Sequence, residues 1–473
     1  MYSISTPGAI SEMHYIRNGR SRLEPRVGQL LAAPSSSELP ERRSASPPWR
    51  RAIFFIFFFA VLSCFSGCVA SRDETPLPPG KQGPPAAAAM LRQTRPAVAY
   101  SRTEGVYLVV WEEETALRGR RLDAQGNLMG PPILISRLSQ PGLFEEGIPA
   151  VASDGSNFLV AWADGRNGTI NLDIYWAMVE ASTGIVLQSG GAQLTTAQEH
   201  QAYPDVAYDA PTGLYLVVWE DRRPGVSGIN IFGSRIRRLG IVMDPNGFQV
   251  SDTQLGQDPA VAAGGSEFLV VWTDPQGVAN NFHIYGKFVD KHANVLTQPA
   301  VGTHISQGAA DIGFPGAEFD GNEYFVIWND QRNGNFDIYG TCLRHDGAGG
   351  AIFRHVRGVP LATHPADQTK PALSFSHSSE RFLVSWSDAR KPVSALDIYG
   401  IMVAECDPKG REFPVSQAAP QDQWFPAVAT DDSSSFLTVW EDYRAAAQTD
   451  ADIYGSLVNL RGRVVMPDTV ITK

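Results

Sequence analysis

Acidic and basic residues recur at fixed distances from a tryptophan along most of the sequence. Two residues after each of seven tryptophans stands an acid, an arginine often follows two residues later, and an Asp-Ile-Tyr triplet comes next. A guanidinium has several donors and can bridge two carboxylates, so this spacing predicts a hydrogen-bonded clasp between two strands. The clasp residues are Asp164, Arg166, Asp173, Asp221, Arg223, Asp330, Arg332, Asp337, Asp388, Arg390, Asp397, Asp442, Arg444 and Asp452.

Two of the repeats help to decide whether these groups brace the protein or bind something. The fourth repeat has Gln276 and His283 where others have the arginine and the second acid, and the first repeat has Thr115 and Ala116 there. Joint loss is what a mutual salt bridge predicts. We therefore interpret the trio as structural, with a ligand or ion site as the alternative.

Side chains that interrupt the repeat are the candidates for binding. Trp176 replaces the glycine that follows most Asp-Ile-Tyr triplets, and Trp424 falls in a predicted loop between the sixth and seventh repeats. Either indole could stack on a flat ligand, although local packing is the alternative for both. Glu145 and Glu146 lie in a connection between repeats. Loops on a rigid scaffold often carry recognition, so we expect this connection face to bind a partner.

Familiar catalytic and metal-binding motifs are absent from the sequence. It contains no HExxH, Walker, GxSxG or DxDxDG pattern, and no histidine recurs with the repeat. The sequence therefore predicts no catalytic residue, metal or cofactor. Paired carboxylates for glycoside hydrolysis stay open, because every repeat supplies acids whose separation the sequence does not give. Cys342 and Cys406 are expected to be free thiols rather than a bridge.

The elements that must position these residues follow from the repeat itself. A proline precedes each tryptophan by 13 to 15 residues, and successive prolines are 53 to 56 residues apart. Each unit has four strand-like segments. Segments such as FLVVW are apolar at odd and even positions alike, which is typical of strands buried on both faces. The sequence thus predicts an all-β, seven-bladed β-propeller with four antiparallel strands per blade over residues 95–473. The repeats start near residues 95, 148, 203, 258, 314, 370 and 425.

The repeat also resembles a known group. Residues 328–339 read WNDQRNGNFDIY, which resembles the VWxDxRxGxxDIY repeats of surface proteins and those of TolB-type propellers. The resemblance covers residues 95–473 and implies a binding or scaffold protein of the cell envelope. We accordingly predict a non-enzymatic propeller that binds a protein or glycan. The alternative is a carbohydrate-active enzyme, a hydrolase or lyase, using acids in the central channel.

The region before the repeats predicts the cellular localisation of the protein. Residues 1–51 form a basic leader rich in Pro, Ser and Arg, which is too long for an ordinary signal and indicates a mis-assigned start or a cytoplasmic tail. Residues 52–68 join a short apolar run to small residues and cysteines, as secretory signals do. The FSGC ending at Cys68 resembles a lipobox, which makes Cys68 the predicted lipidation site and Cys64 the alternative. A plain cleaved signal and an uncleaved anchor stay open.

Residues 69–94, rich in Pro and Ala, read as a tether between this segment and the propeller. The net charge is −11, and the leader carries eight Arg against four Glu, so residues after the leader carry −15. An acidic body excludes non-specific nucleic-acid binding, which needs a basic face. We expect a monomeric lipoprotein of the bacterial cell envelope, attached to the membrane through a lipid or an N-terminal anchor.

Overall fold

In the computed structural model, the described part of the chain is built from β-strands. The described residues are 92–139, 146–168, 171–226, 228–253, 255–275, 281–296, 302–307, 312–391, 396–445 and 450–473. Among them there is no helix, and so none with the length and apolar character that a membrane span requires. The predicted lipidation sites Cys64 and Cys68 lie outside these residues.

The strands form seven antiparallel sheets, each built from strands that are consecutive in sequence. We call these sheets blades 1 to 7. Blades 1 to 3 contain β1 (Gln93–Ser101), β2 (Val106–Glu113), β3 (Ala116–Asp123), β4 (Leu128–Arg137); β5 (Gly147–Ser153), β6 (Asn157–Asp164), β7 (Asp173–Glu180), β8 (Ala192–Gln193); and β9 (Gln201–Asp209), β10 (Leu214–Asp221), β11 (Asn230–Arg237), β12 (Ile241–Val242), β13 (Phe248–Gln249).

Blades 4 to 7 complete the set. They contain β14 (Gln257–Ala263), β15 (Glu267–Asp274), β16 (His283–Asp290), β17 (Thr303–His304); β18 (Ile312–Phe319), β19 (Tyr324–Asp330), β20 (Asp337–His345), β21 (Ala351–Phe353), β22 (Val359–Ala362); β23 (Gln368–Ser376), β24 (Arg381–Asp388), β25 (Asp397–Ala404), β26 (Asp407–Pro414); and β27 (Gln423–Thr430), β28 (Ser435–Asp442), β29 (Asp452–Asn459), β30 (Val464–Val470).

The first strands of the blades contact one another in a closed ring. Strands β1, β5, β9, β14, β18, β23 and β27 each contact the first strand of the neighbouring blades, and β27 contacts β1. These strands therefore line a central channel, and the outer strands lie at the rim. The predicted seven-bladed propeller is confirmed.

Burial of the second strand on both faces explains why the blades pack as they do. Strand β10, LYLVVWED, is buried at every position, and the seven repeat tryptophans are fully buried. Seven apolar clusters result, one at each junction between neighbouring blades. In one of them, Trp219 of blade 3 packs with Leu159 and Met178 of blade 2. Most of the core therefore lies between blades, and a single blade could not bury its own apolar faces.

Cys342 and Cys406 form a disulfide, so the prediction of two free thiols is wrong. Their Cα atoms are 5.8 Å apart, a normal separation for a bridge. The two residues are 64 positions apart in sequence, and the fold brings the third strand of blade 5 beside the end of β25 in blade 6. The bridge thus links two blades.

Candidate functional site

The first strand of every blade is irregular at the residue before its proline. Each ladder shifts register there, and the residue has a positive φ of 35° to 55°. Positive φ is uncommon for residues other than glycine, and residues before proline normally have extended backbone. Such a bulge redirects a side chain away from the regular pleat. The seven residues are Arg95, Ile148, Tyr203, Asp258, Phe314, Lys370 and Phe425. We call them the mouth residues.

The mouth residues meet at one end of the channel. Lys370 Nζ lies 4.1 Å from the ring centre of Phe314 in the preceding blade and 3.7 Å from that of Phe425 in the following one. The charges of Asp258 in blade 4 and Arg95 in blade 1 also act on the pKa of Lys370. Side chains from five blades therefore share one small region around the axis.

Burial and opposite charges set the electrostatics of this region. Desolvation lowers the pKa of Lys370 to about 8, although Asp258 partly opposes that shift. Desolvation likewise raises the pKa of Asp258. Glu112, at the end of the second strand of blade 1, has a pKa raised to about 7 by burial, with Arg95 acting in the opposite direction. Lys370 and Glu112 thus have pKa values close to neutral pH.

Glutamates from the second strands fix the backbone of two mouth residues. Glu441 Oε1 accepts a hydrogen bond of 2.6 Å from the Arg95 amide, and Glu220 Oε1 accepts one of 2.8 Å from the Asp258 amide. Both glutamates follow the repeat tryptophan of their blade. Each bond also joins two neighbouring blades. Side chains of the neighbouring blades therefore stabilise the bulges at Arg95 and Asp258.

Two further acids lie on the first strands, deeper in the channel. Asp205 is next to the proline of blade 3, where five blades have Ala and one has Gly, and Glu318 of blade 5 stands where five blades have Ala and one has Ser. Both are partly exposed. Desolvation raises the pKa of Asp205 to about 6 and that of Glu318 to about 7, and the charge of Asp205 adds to the shift of Glu318. The two carboxyl groups therefore interact.

Hydrogen bonds orient Asp205. Its Oδ2 accepts a bond of 2.8 Å from the amide of Val261, in the next blade. The backbone bonds from Val261 and Val206 lower its pKa, but less than burial raises it. Arg102, in the turn after β1, lowers the pKa of Glu318 by its charge. Asp205 is therefore the more easily ionised of the two.

The predicted clasp forms in part. In five blades the acid two residues after the tryptophan is fully buried and accepts a bond of 2.8–3.0 Å from the indole Nε1 and one of 2.8–2.9 Å from the clasp arginine Nε. The pairs are Asp164–Arg166, Asp221–Arg223, Asp330–Arg332, Asp388–Arg390 and Asp442–Arg444.

The second acid of the trio has other partners, which corrects the expected bridge. Each arginine lies over the aromatic ring two residues beyond the position of the second acid, 3.9–4.4 Å from the ring centre. Arg223 and Arg332 also donate to backbone carbonyls in the outer part of their blades. Asn167 donates to Asp173 at 2.9 Å, Asn333 donates to Asp337 at 2.7 Å, and Lys391 pairs with Asp397 at 2.7 Å. Asp452 pairs with Lys473 at 2.9 Å.

The four candidate binding residues have different positions. Trp176 is 3% exposed and belongs to the core between blades 2 and 3, so packing explains it. Glu146 is 1% exposed, and its Oε1 accepts bonds from Ser139 and Gly165, so it holds two loops together. Trp424 is on β27 rather than in a loop and is half-buried beside Phe425, with its ring centre 6.0 Å from Lys370 Nζ. Glu145 lies outside the described residues.

A cleft of about 950 Å³ on the opposite face is a weaker candidate. It is lined by the turns that follow the first strands of blades 2 and 3, together with several arginines. Of these, Arg235 is paired with Asp244 at 2.7 Å and Arg238 with Asp154 at 3.4 Å. Its charges are therefore already partly neutralised within the protein.

Sequence reasoning missed the mouth residues and the two channel acids. The prolines recur with the repeat, whereas the residues beside them form no known catalytic motif. The signal was present, since the residue before the proline is Arg, Ile, Tyr, Asp, Phe, Lys or Phe in successive repeats. Asp205 and Glu318 replace the Ala of the repeat in the same segment. Positions that vary between repeats within an otherwise regular strand therefore indicate where a functional site lies.

No protein-family model and no curated protein matches the chain. Among solved structures, it is similar to an oligogalacturonate lyase in complex with manganese (TM-score 0.46, 11% identity, 78% of this chain and 90% of that one). It is also similar to the GH93 alpha-L-arabinofuranosidase of Fusarium graminearum (0.43, 10%, 67% and 95%) and to the acylaminoacyl peptidase of Pyrococcus horikoshii (0.45, 10%, 82% and 53%). The chain thus spans about half of the peptidase. At these identities the likeness concerns the fold alone.

The prediction of a non-enzymatic scaffold does not hold as it was made, because the channel-lining first strands carry two acids, Asp205 and Glu318, that the other repeats lack at these positions. The similar structures are mostly enzymes, including glycosidases, peptidases and a lyase. The first strands also depart from the regular repeat at the mouth residues.

Proposed function

We propose that this propeller is a carbohydrate-active enzyme that cleaves a glycosidic bond with two channel carboxyl groups, Glu318 and Asp205. The observation that carries the proposal is that two interacting acids replace alanine on channel-lining strands and have raised pKa values of about 7 and about 6. Glycoside hydrolysis needs one protonated and one ionised carboxyl group, and environments that separate the two pKa values assign the roles.

The proposed roles follow from that order. Glu318 donates a proton to the glycosidic oxygen, because it is the acid that stays protonated to the higher pH. Asp205, held by the Val261 amide, is the ionised partner that activates water or attacks the anomeric carbon. The required pair of states is most populated between about pH 6 and pH 7. We therefore expect a bell-shaped pH–rate profile centred there.

The mouth residues support a carbohydrate as substrate. Phe314, Phe425, Tyr203 and the half-buried Trp424 offer aromatic surface at the entrance. Aromatic faces carry a large contact area with defined geometry, and neighbouring charged groups can bind hydroxyls or a substrate carboxylate. A glycan chain could thus stack at the entrance while one linkage reaches the acids.

The test is an activity screen of the full chain against neutral and acidic polysaccharides. New reducing ends report hydrolysis, and the ultraviolet absorbance of an unsaturated product reports elimination by a lyase. Glu318→Gln and Asp205→Asn should each abolish turnover. Glu104→Gln, which alters an exposed acid in the turn after β1, is the matched control and should retain it. Turnover that survives both channel substitutions would contradict the assignment.

We also propose that the protein works in the bacterial cell envelope as a monomer, anchored through a lipid on Cys68, with a glycan there as its partner. The resemblance of the repeats to TolB-type propellers supports this, as does the Cys342–Cys406 disulfide, because disulfides persist mainly in oxidising compartments. A fatty-acid analogue should label the protein in cells, and Cys68→Ser should remove the label. Loss of label in Cys64→Ser instead would move the site to Cys64.

A further inference from the structure

Blade 4 differs from its neighbours at two positions that face each other across its outer strands. In blade 2, Gln193 on β8 donates to Asp173 on β7 at 3.0 Å, and in blade 3 Gln249 on β13 lies 3.5 Å from Asn230 on β11. These pairs are ordinary donor–acceptor contacts. In blade 4 the equivalent residues are both histidines.

The two histidines, His304 and His283, lie close together, with His283 buried and His304 half-buried. Their ring centres are 4.8 Å apart, and His283 is 9% exposed. His304 also stacks on Tyr285 at 5.0 Å, with the ring planes 20° apart. Blade 4 therefore has two neighbouring imidazoles where blades 2 and 3 have a glutamine beside an Asp or Asn.

Each imidazole has a buried nitrogen without a hydrogen-bond partner among the described residues. These atoms are Nδ1 of His283 and Nε2 of His304. A ring nitrogen that has no hydrogen-bond partner can bind a metal ion through its lone pair, as in metal-bound histidines.

The first acid of the trio also differs in blade 4. Asp274 is directly opposite His283 in the β15–β16 ladder. In five blades the equivalent acid accepts a bond from the repeat tryptophan, whereas Trp272 Nε1 has no partner within the described parts of the chain. Asp274 is thus oriented differently from its equivalents.

We propose that His283 and His304 form a transition-metal site in blade 4, binding an ion such as Zn²⁺, with solvent completing the coordination. Imidazole nitrogens are good ligands for Zn²⁺, Ni²⁺ and Cu²⁺. Glu323, Cys342 and Cys406 also lie close together, but the disulfide occupies both sulfurs. The proposal does not depend on the channel chemistry, because its residues lie on the outer strands.

The experiment is a calorimetric titration of chelator-treated, full-length protein with Zn²⁺. We expect one ion per chain. His304→Gln installs the residue that blades 2 and 3 have at this position, so it should fold normally and bind Zn²⁺ about tenfold or more weakly. His345→Gln is the matched control, because His345 also pairs with an acid, Glu267, at 3.1 Å, and its loss should leave binding unchanged.

A second measurement needs no variant. In histidine-selective NMR spectra of the wild-type protein, Zn²⁺ should shift the resonances of two rings at one equivalent and leave the others in place. The proposal is overturned if wild type and His304→Gln bind Zn²⁺ equally, or if one equivalent of Zn²⁺ perturbs no pair of histidines.

Discussion

Lys370 Nζ lies 3.7 Å from the centre of the Phe425 ring, so a lysine of blade 6 rests on an aromatic face of blade 7. The Phe314 ring, at 4.1 Å, lies on its other side. An ammonium between two rings gains cation–π attraction but loses much of its hydration. Desolvation dominates here, because the pKa of Lys370 is lowered to about 8. The folded protein therefore carries a destabilising charge at the mouth of the channel.

Replacing Lys370 with Met should make the protein more stable. Below pH 8 the lysine is charged in both the folded and unfolded states, and its burial cost applies in full. The expected gain at pH 7 is about 1–2 kcal/mol, allowing for partial exposure to solvent. As the pH rises from about 8 toward 10.5, the folded state releases its proton first and the gain shrinks. Thermal unfolding of both proteins at pH 7 and pH 10 measures this difference, and an equal gain at both values would contradict it.

Glu318→Gln should show the opposite pH dependence. The pKa of Glu318 is raised from 4.5 to about 7, so its ionisation destabilises the fold as the pH rises through that interval. At pH 8 we expect the variant to exceed wild type by about 1–2 kcal/mol, and at pH 4 the two should be equal. Denaturant titrations at both pH values provide the comparison. Glu104→Gln should show no such pattern, and a gain of Glu318→Gln that is constant with pH would refute the burial of this acid.

Arg332→Ala should destabilise the protein strongly. Its partner Asp330 is fully buried, and removing the guanidinium leaves that charge with the hydrogen bonds from the Trp328 indole and from the backbone amide of residue 332. The expected loss is about 3 kcal/mol in the free energy of unfolding. Arg344→Ala, an exposed arginine in the same blade, serves as the control and should change stability by less than about 0.5 kcal/mol. Similar losses in the two variants would mean that the Asp330–Arg332 pair contributes no more to stability than an exposed arginine does.

The Cys342–Cys406 bridge should make stability sensitive to reductant. It closes a loop between residues 64 positions apart, for which a contribution of about 2–4 kcal/mol is typical. A reducing agent should lower the melting temperature of wild type. The double variant Cys342→Ser/Cys406→Ser should melt at that lower temperature with or without reductant. A wild type that is indifferent to reductant would argue against the bridge.

The fold was predictable from the sequence because similar packing and turn residues occur in every repeat. The apolar run before each tryptophan required burial on two sides, and seven copies required a ring. The site was harder to predict because it depends on residues that do not repeat. Lys370 and Phe425 are 55 positions apart, and only the bulges of two neighbouring strands bring them together. The same holds for Cys342 and Cys406, whose contact depends on how two blades pack.

Closure of the ring has a consequence for how the chain could be reconnected. Every sheet consists of strands that are consecutive in sequence, so no ladder spans the junction between β27 and β1. That junction is held by packing and by a few bonds such as the one from the Gln93 amide to the Ala451 carbonyl, at 3.0 Å. Like the other six junctions between blades, it is not spanned by a sheet. A circularly permuted chain, joined at this junction and opened between any other two blades, would keep all seven sheets intact, and the channel residues would keep their neighbours.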